Sequence, residues 1–184
     1  PNEKTVLIRG SGVDLSVYKN TTPSESKPVV LLASRLLADK GVREFVRAAQ
    51  LVNESATLYL PTLSARFILV GDLDPFNPAS IQQEELNRWK KEGVVEMWGH
   101  RYDMNVVLST ADIVVLPSYR EGFPKVLIEA SACGRAIITT DVPGCRDVIE
   151  DGITGLLVPP RNPEILSNKI SLLLDNPTLC KEMG

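Results

Sequence analysis

Seven short apolar runs, at residues 5–8, 29–33, 66–71, 94–98, 112–116, 136–140 and 155–158, are separated by stretches with helical periodicity. Strand-length runs that alternate with helices predict an α/β fold, a parallel sheet with helices on both faces. The run Asp112-Ile113-Val114-Val115-Leu116-Pro117 constrains the fold most. Its apolar residues are continuous, without polar alternation, as in a strand buried on both faces. After Lys40, Val42, Phe45, Val46, Ala49 and Val52 share one helical face, with Arg43, Glu44, Arg47 and Gln50 on the other. Further helices are expected at 80–91, 103–110, 124–133, 145–150 and 163–174, and loops rich in proline and polar residues at 21–28 and 74–78. No internal repeat or low-complexity tract interrupts the pattern.

The 184 residues suit one domain with a proper core, and 43% hydrophobic with 23% charged residues describe an ordinary globular chain. A net charge of −3 leaves no broad basic field for nucleic acid, so a phosphate has to be held by a few placed cations. Cys133, Cys145 and Cys180 have no metal-ligand spacing, and an odd number argues against a disulfide framework, so a reducing, cytoplasmic setting is expected. No apolar stretch approaches the about 18 residues of a membrane span. The chain opens on Pro1 and closes in helix-like sequence, so both ends are expected to be cuts in a longer protein.

Ligands of doubly wound sheets bind beyond the carboxyl ends of the strands. Four segments fall there: Ser34-Arg35, Gly71-Asp72, residues 99–104 and residues 118–123. In the last, Pro124 fits the first helical position and Gly134 stops the helix, which places Glu121 in the loop and Glu129 within the helix. Eight residues of mostly helical rise put the two carboxylates about 12 Å apart, further than the roughly 5–9.5 Å of glycosidase pairs that flank one bond. Two carboxylates with a helix amino terminus between them suit a ligand with hydroxyls at both ends and phosphates in the middle.

Glu121 to Glu129 resembles the Glu-x7-Glu motif of retaining glycosyltransferases. Gly12-Val13-Asp14 resembles the turn that opens the second domain of the group 1 glycosyltransferases (glycosyltransferase family 4), and Ser34-Arg35-Leu36-Leu37-Ala38-Asp39-Lys40-Gly41 its Arg-x4-Lys-Gly loop. Phe67-Ile68-Leu69-Val70-Gly71-Asp72 is similar to its central strand, and Asp151-Gly152-Ile153-Thr154-Gly155 completes the order. The resemblance covers nearly the whole chain. It implies the carboxyl-terminal, Rossmann-like lobe of a two-lobe GT-B enzyme. The acceptor lobe would be absent, the returning final helix incomplete, and the fragment inactive alone.

By that resemblance Arg35 and Lys40 would stabilise the diphosphate, and Glu121 would hold hydroxyls of the transferred sugar. The segment Gly122, Phe123, Pro124, Lys125 and Val126 would approach sugar and phosphates, and Glu129 would take the ribose hydroxyls. Gly99, His100, Arg101 and Met104 would border the base, with Arg101 or Tyr102 as a stacking partner. The donor would be a UDP-sugar, a hexose or N-acetylhexosamine, without metal or other cofactor. The acceptor would be a surface-polysaccharide, lipopolysaccharide, capsule or lipid-linked glycan reached through the absent lobe, which would also carry any contact with the membrane's inner face. Two alternatives share the architecture: a nucleotide-sugar epimerase lobe and a non-catalytic nucleotide-binding module.

Other features read more plainly. Asp72-Leu73-Asp74 fits an Asp-x-Asp metal pattern but is taken as a polar loop, and His100, the one histidine, as a loop residue near the base. Gly10-Ser11-Gly12 fails as a dinucleotide fingerprint because Leu15 stands where the third glycine belongs. Cys133, Trp89 and Trp98 are taken as packing residues.

Overall fold

The computed structural model describes residues 10–21, 27–58 and 64–184. The run expected at 5–8 and most of the loop at 21–28 lie outside them. Six strands, β1 (Val29–Ala33), β2 (Arg66–Val70), β3 (Glu96–Gly99), β4 (Ile113–Leu116), β5 (Ala136–Thr140) and β6 (Leu156–Val158), form one sheet in the order β3-β2-β1-β4-β5-β6. Every pairing is parallel. The chain steps outward from β1 to the β3 edge, then returns to lay β4 on the other side of β1. This reversal opens a crevice between the loops that follow β1 and β4.

The sheet is doubly wound, and strand residues alternate between two cores. Val30, Leu32, Phe67, Leu69, Ile113, Val115 and Ile138 pack towards α1 (Val42–Leu58), α2 (Gln83–Glu92), α5 (Pro163–Asp175) and α6 (Pro177–Met183). Leu31, Ile68, Val70, Val114, Leu116 and Ile137 pack towards α3 (Met104–Ser109) and α4 (Lys125–Ala132). Because both faces are covered, β1, β4 and β5 are buried along their whole length, which is why their sequences show no alternation. The expected face of α1 is buried, with Ala48 added to it.

Three expectations on helices need correction. Residues 145–150 form no helix: Gly144 enters at φ 86° and donates its N–H to Asp147 Oδ2 at 3.3 Å, and residues 145–148 make turns. Pro124 stands one residue ahead of α4, as its cap in extended conformation (ψ 112°), so the helix begins at Lys125. The start of α2 is also later than expected. Ser80 is held by Asp74 and bridged to Leu37, and Gln82 and Glu85 form the capping box.

Gly41 decides how closely the β1 loop meets β4. It follows the 3-10 turn Ala38–Lys40 at φ 71°, and a Cβ there would run into the carbonyl of Pro117. Gly93 is left-handed too (φ 68°), but nothing lies within 4 Å of where its Cβ would be. Gly93→Ala is therefore expected to cost about 1–2 kcal/mol for the left-handed backbone alone. Gly41→Ala should cost clearly more in denaturant unfolding of the same protein, and equal losses would contradict the close approach.

Candidate functional site

The crevice is built from the loops after β1, β2, β3 and β4. Lys40 Nζ meets Glu121 Oε1 at 2.6 Å, with side chains 19% and 13% exposed. Ser118, fully buried at the end of β4, donates its hydroxyl to the same Glu121 oxygen at 2.8 Å. The Ser118 carbonyl in turn accepts from the hydroxyl of Thr140 on β5. Gly144 packs beneath the loop, where a Cβ would meet the carbonyls of Glu121 and Gly122. Glu121 is thus held through one oxygen by Lys40 and Ser118, and Thr140 braces Ser118 from β5.

Beside this pair lies a cleft of ≈ 390 Å³ bordered by Arg35, Gly71, Asp72, Asp74, His100, Arg101, Met104, Val126 and Glu129, among others. Arg35, 65% exposed, reaches Asp74 Oδ2 at 3.2 Å. Asp72 accepts the His100 backbone N–H at 3.1 Å, which fixes the start of the β3 loop. Arg101 is paired with Asp103, Nε to Oδ1 at 2.7 Å, and its guanidinium lies 5.8 Å from the Trp98 ring centre. The His100 ring stands edge-on to Tyr102 at 4.6 Å. The Glu129 side chain, 8% exposed, accepts from Tyr18 Oη at 2.8 Å and lies 3.4 Å from Lys125 Nζ.

Of the expected site residues, Arg35, His100, Arg101, Met104, Val126 and Glu129 border the cleft, and Lys40 and Glu121 form the ion pair next to it. Gly122, Phe123, Pro124 and Lys125 connect the two along the chain without bordering the cleft, and Gly99 lines a neighbouring hollow that shares Gly71, Asp72, Leu73 and Pro75 with it. Because Pro124 lies outside the helix, its missing N–H takes no donor from the first turn of α4. Asp72 and Asp74 have definite partners, more than the polar loop expected of them. Sequence reasoning missed Ser118 and Tyr18. The position of Ser118, a small polar residue directly after a buried run and Pro117, was a usable signal; Tyr18 gave none.

Cys133 is fully buried, and burial pushes its thiol up from the ordinary value, which fits a packing role. Trp89 belongs to the core facing α1, and Trp98 packs against the other core. A separate cavity of ≈ 310 Å³ lies among Pro28, Asp112, Leu173, Pro177, Cys180 and Gly184, near the start of β4 and away from the strand ends that carry these charges.

The sequence model described as glycosyl transferases group 1 matches residues 27–176. The chain belongs to this family. It is 41% identical over 96% of its length to the N,N'-diacetylbacillosaminyl-diphospho-undecaprenol alpha-1,3-N-acetylgalactosaminyltransferase of Campylobacter jejuni, covering 46% of that protein. It is 31% identical over 87% of its length to the alpha-D-kanosaminyltransferase of Streptomyces kanamyceticus, covering 40%. Among solved structures, Anabaena HepE in complex with UDP superposes with a TM-score of 0.76 and 26% identity, over 94% of this chain and 48% of HepE. The group 1 chain described here therefore spans about half the length of these relatives, and its sheet is that of one GT-B lobe.

Tyr18 and Tyr119 offer a check on the site's packing. Burial first, then the carboxylates of Glu129 and Glu44 that accept their hydroxyls, push both phenols from 10.0 up to about 12. A phenol whose ionisation is delayed by folding stabilises the fold fully below pH 10.0, and that contribution is lost as pH rises through about 12. Spectrophotometric titration, with Tyr18→Phe and Tyr119→Phe variants to assign the signals, is expected to show Tyr18 and Tyr119 ionising late, with unfolding stability falling across that window. Phenolate formation by Tyr18 and Tyr119 near 10.0 in folded protein would contradict it.

Proposed function

We propose that this chain is the donor domain of a retaining glycosyltransferase, the carboxyl-terminal half of a two-lobe enzyme that binds a UDP-sugar. The observation that carries the reading is the meeting of Lys40 and Glu121 at the sheet's reversal, next to a cleft edged by Arg35 and Glu129. Arg35 and Lys40 are cations within reach of a diphosphate laid along α4. Charge builds on that diphosphate as the sugar bond breaks, so fixed cations favour the transition state over the ground state. Lys40 enters already oriented by Glu121, and Glu121 already oriented by Ser118.

Glu121 takes hydroxyls of the transferred sugar with Oε2, which makes no hydrogen bond among the described residues. Glu129 takes the ribose hydroxyls. The base lies against the 99–104 loop, read through backbone groups, with Arg101 or Tyr102 beneath it. The sugar's C1–O bond to the β-phosphate breaks while the acceptor hydroxyl attacks C1 from the same face. Its proton passes to the departing phosphate oxygen, so configuration is retained without a protein nucleophile or a metal. The donor sugar is a hexose or N-acetylhexosamine, and the acceptor a lipid-linked or surface glycan held by the other lobe. The name of the Campylobacter relative, with its N-acetylgalactosaminyl group and diphospho-undecaprenol, supports that choice. The reaction would take place in the cytoplasm, at the membrane's inner face.

In the enzyme that contains this domain, Lys40→Ala is expected to lower kcat about 10²- to 10³-fold, as loss of one preorganised charge-stabilising donor does. Nucleotide affinity should fall less. Stopped assays of sugar transfer, paired with calorimetry of UDP binding, check this. A Lys40→Ala enzyme with unchanged kcat would sink the assignment.

A further inference from the structure

Residues 10–21 run alongside α4 in the same direction. Gly10 lies against the Phe123 ring before the helix, Tyr18 reaches Glu129 within it, and Asn20 and Thr21 meet Gly134 and Arg135 beyond it. The fully buried Arg135 donates to Thr21, Ala111 and Cys133, so the far end of the segment is already tied down. Asp14 shapes the middle. Its carboxylate accepts the Ser16 N–H at 2.8 Å and the Ser16 hydroxyl at 2.6 Å, and its carbonyl accepts the N–H groups of Val17 and Tyr18. This is an Asx-type turn, and it aims Tyr18 at the helix.

The target is unusual. Glu129 is the one carboxylate among the buried described residues, and its sole hydrogen bond among them comes from Tyr18, to Oε1. Lys125 lies near the same oxygen. Oε2 takes no hydrogen bond from the described residues, and Glu129 borders the cleft. A ligand with two adjacent hydroxyls would fill the acceptor positions that the described residues leave open on this carboxylate. With Oε1 committed to the phenol, the carboxylate cannot turn freely, and Oε2 is presented in one direction.

We propose that Tyr18 is a positioning residue for ribose: its hydroxyl holds Glu129 so that Oε2 faces the cis-diol of a nucleoside diphosphate. The turn at Asp14 thereby becomes part of nucleotide recognition. The inference rests on the donor-domain reading above. The delayed ionisation of Tyr18 agrees with it, since the phenol keeps the proton it donates across the neutral range.

The test is calorimetric titration of the protein with UDP and with 2′,3′-dideoxy-UDP, comparing the unsubstituted chain, Tyr18→Phe, Asp14→Ala and Glu129→Ala. The unsubstituted protein should prefer UDP, and Glu129→Ala should remove that preference. Tyr18→Phe should weaken UDP about tenfold, the scale of a hydrogen bond to a charged group, while leaving dideoxy-UDP nearly unchanged. Asp14→Ala keeps the phenol but frees the turn, and should shift the ratio the same way. If Glu129→Ala lowers the ratio but neither Tyr18→Phe nor Asp14→Ala does, the positioning role is overturned and the ribose reading stands. If both ligands weaken equally in Tyr18→Phe, Tyr18 is only structural and the proposal is likewise overturned. No UDP binding by the unsubstituted chain, or a ratio indifferent to Glu129→Ala, overturns the ribose reading and this inference with it.

Discussion

The 2.6 Å contact between Lys40 and Glu121 depends on a backbone approach that only glycine permits. The 3-10 turn after β1 ends at Gly41, in left-handed conformation against the Pro117 carbonyl, and this brings Lys40 to the end of β4. From the other side, Gly144 lets the β5–β6 connection tuck beneath Glu121. The parallel order of the sheet makes β1 and β4 neighbours although 79 residues separate Ala33 from Ile113, and the crevice follows from that order. α4 then starts straight from the Glu121 loop, so its first turns place Val126 and Glu129 on the cleft.

The electrostatics are local, as a net charge of −3 requires. Four cations around the strand ends are paired with carboxylates: Lys40 with Glu121, Arg35 with Asp74, Arg101 with Asp103, Lys125 with Glu129. The Lys40–Glu121 pair is mostly shielded from water, where an unpaired charge would be costly; Arg35 is largely in solvent, where its pair adds little and is easily exchanged. Lys40 is thus the shielded charge and Arg35 the exposed one. An anionic ligand entering the cleft would share the first and draw the second away from Asp74.

Much of this was legible from residue order. Continuous apolar runs revealed strands buried on two faces, α1 showed its buried side, Arg35, Lys40 and Glu121 stood in loops beyond strand ends, where a doubly wound sheet puts its ligands, and Glu129 stood in the helix that follows. Local pattern misled where tertiary contacts decide: residues 145–150 have helical spacing, but the Gly144 turn and its bond to Asp147 hold residues 145–148 in turns. It was silent on Tyr18, because a contact spanning 111 positions leaves no trace in either partner's neighbourhood. Asp72 and Asp74 read as polar filler because their partners, the His100 amide and Arg35, come from other strand ends.

The central claim is that a nucleoside diphosphate occupies the crevice at the β1–β4 reversal. Amide NMR spectra of the protein titrated with UDP test it most directly. The account predicts shifts concentrated at Arg35, Lys40, residues 99–104 and the first turn of α4 through Glu129, with the cavity around Leu173, Pro177 and Cys180 unmoved. Shifts centred on that second cavity, or none at the strand ends, would contradict it.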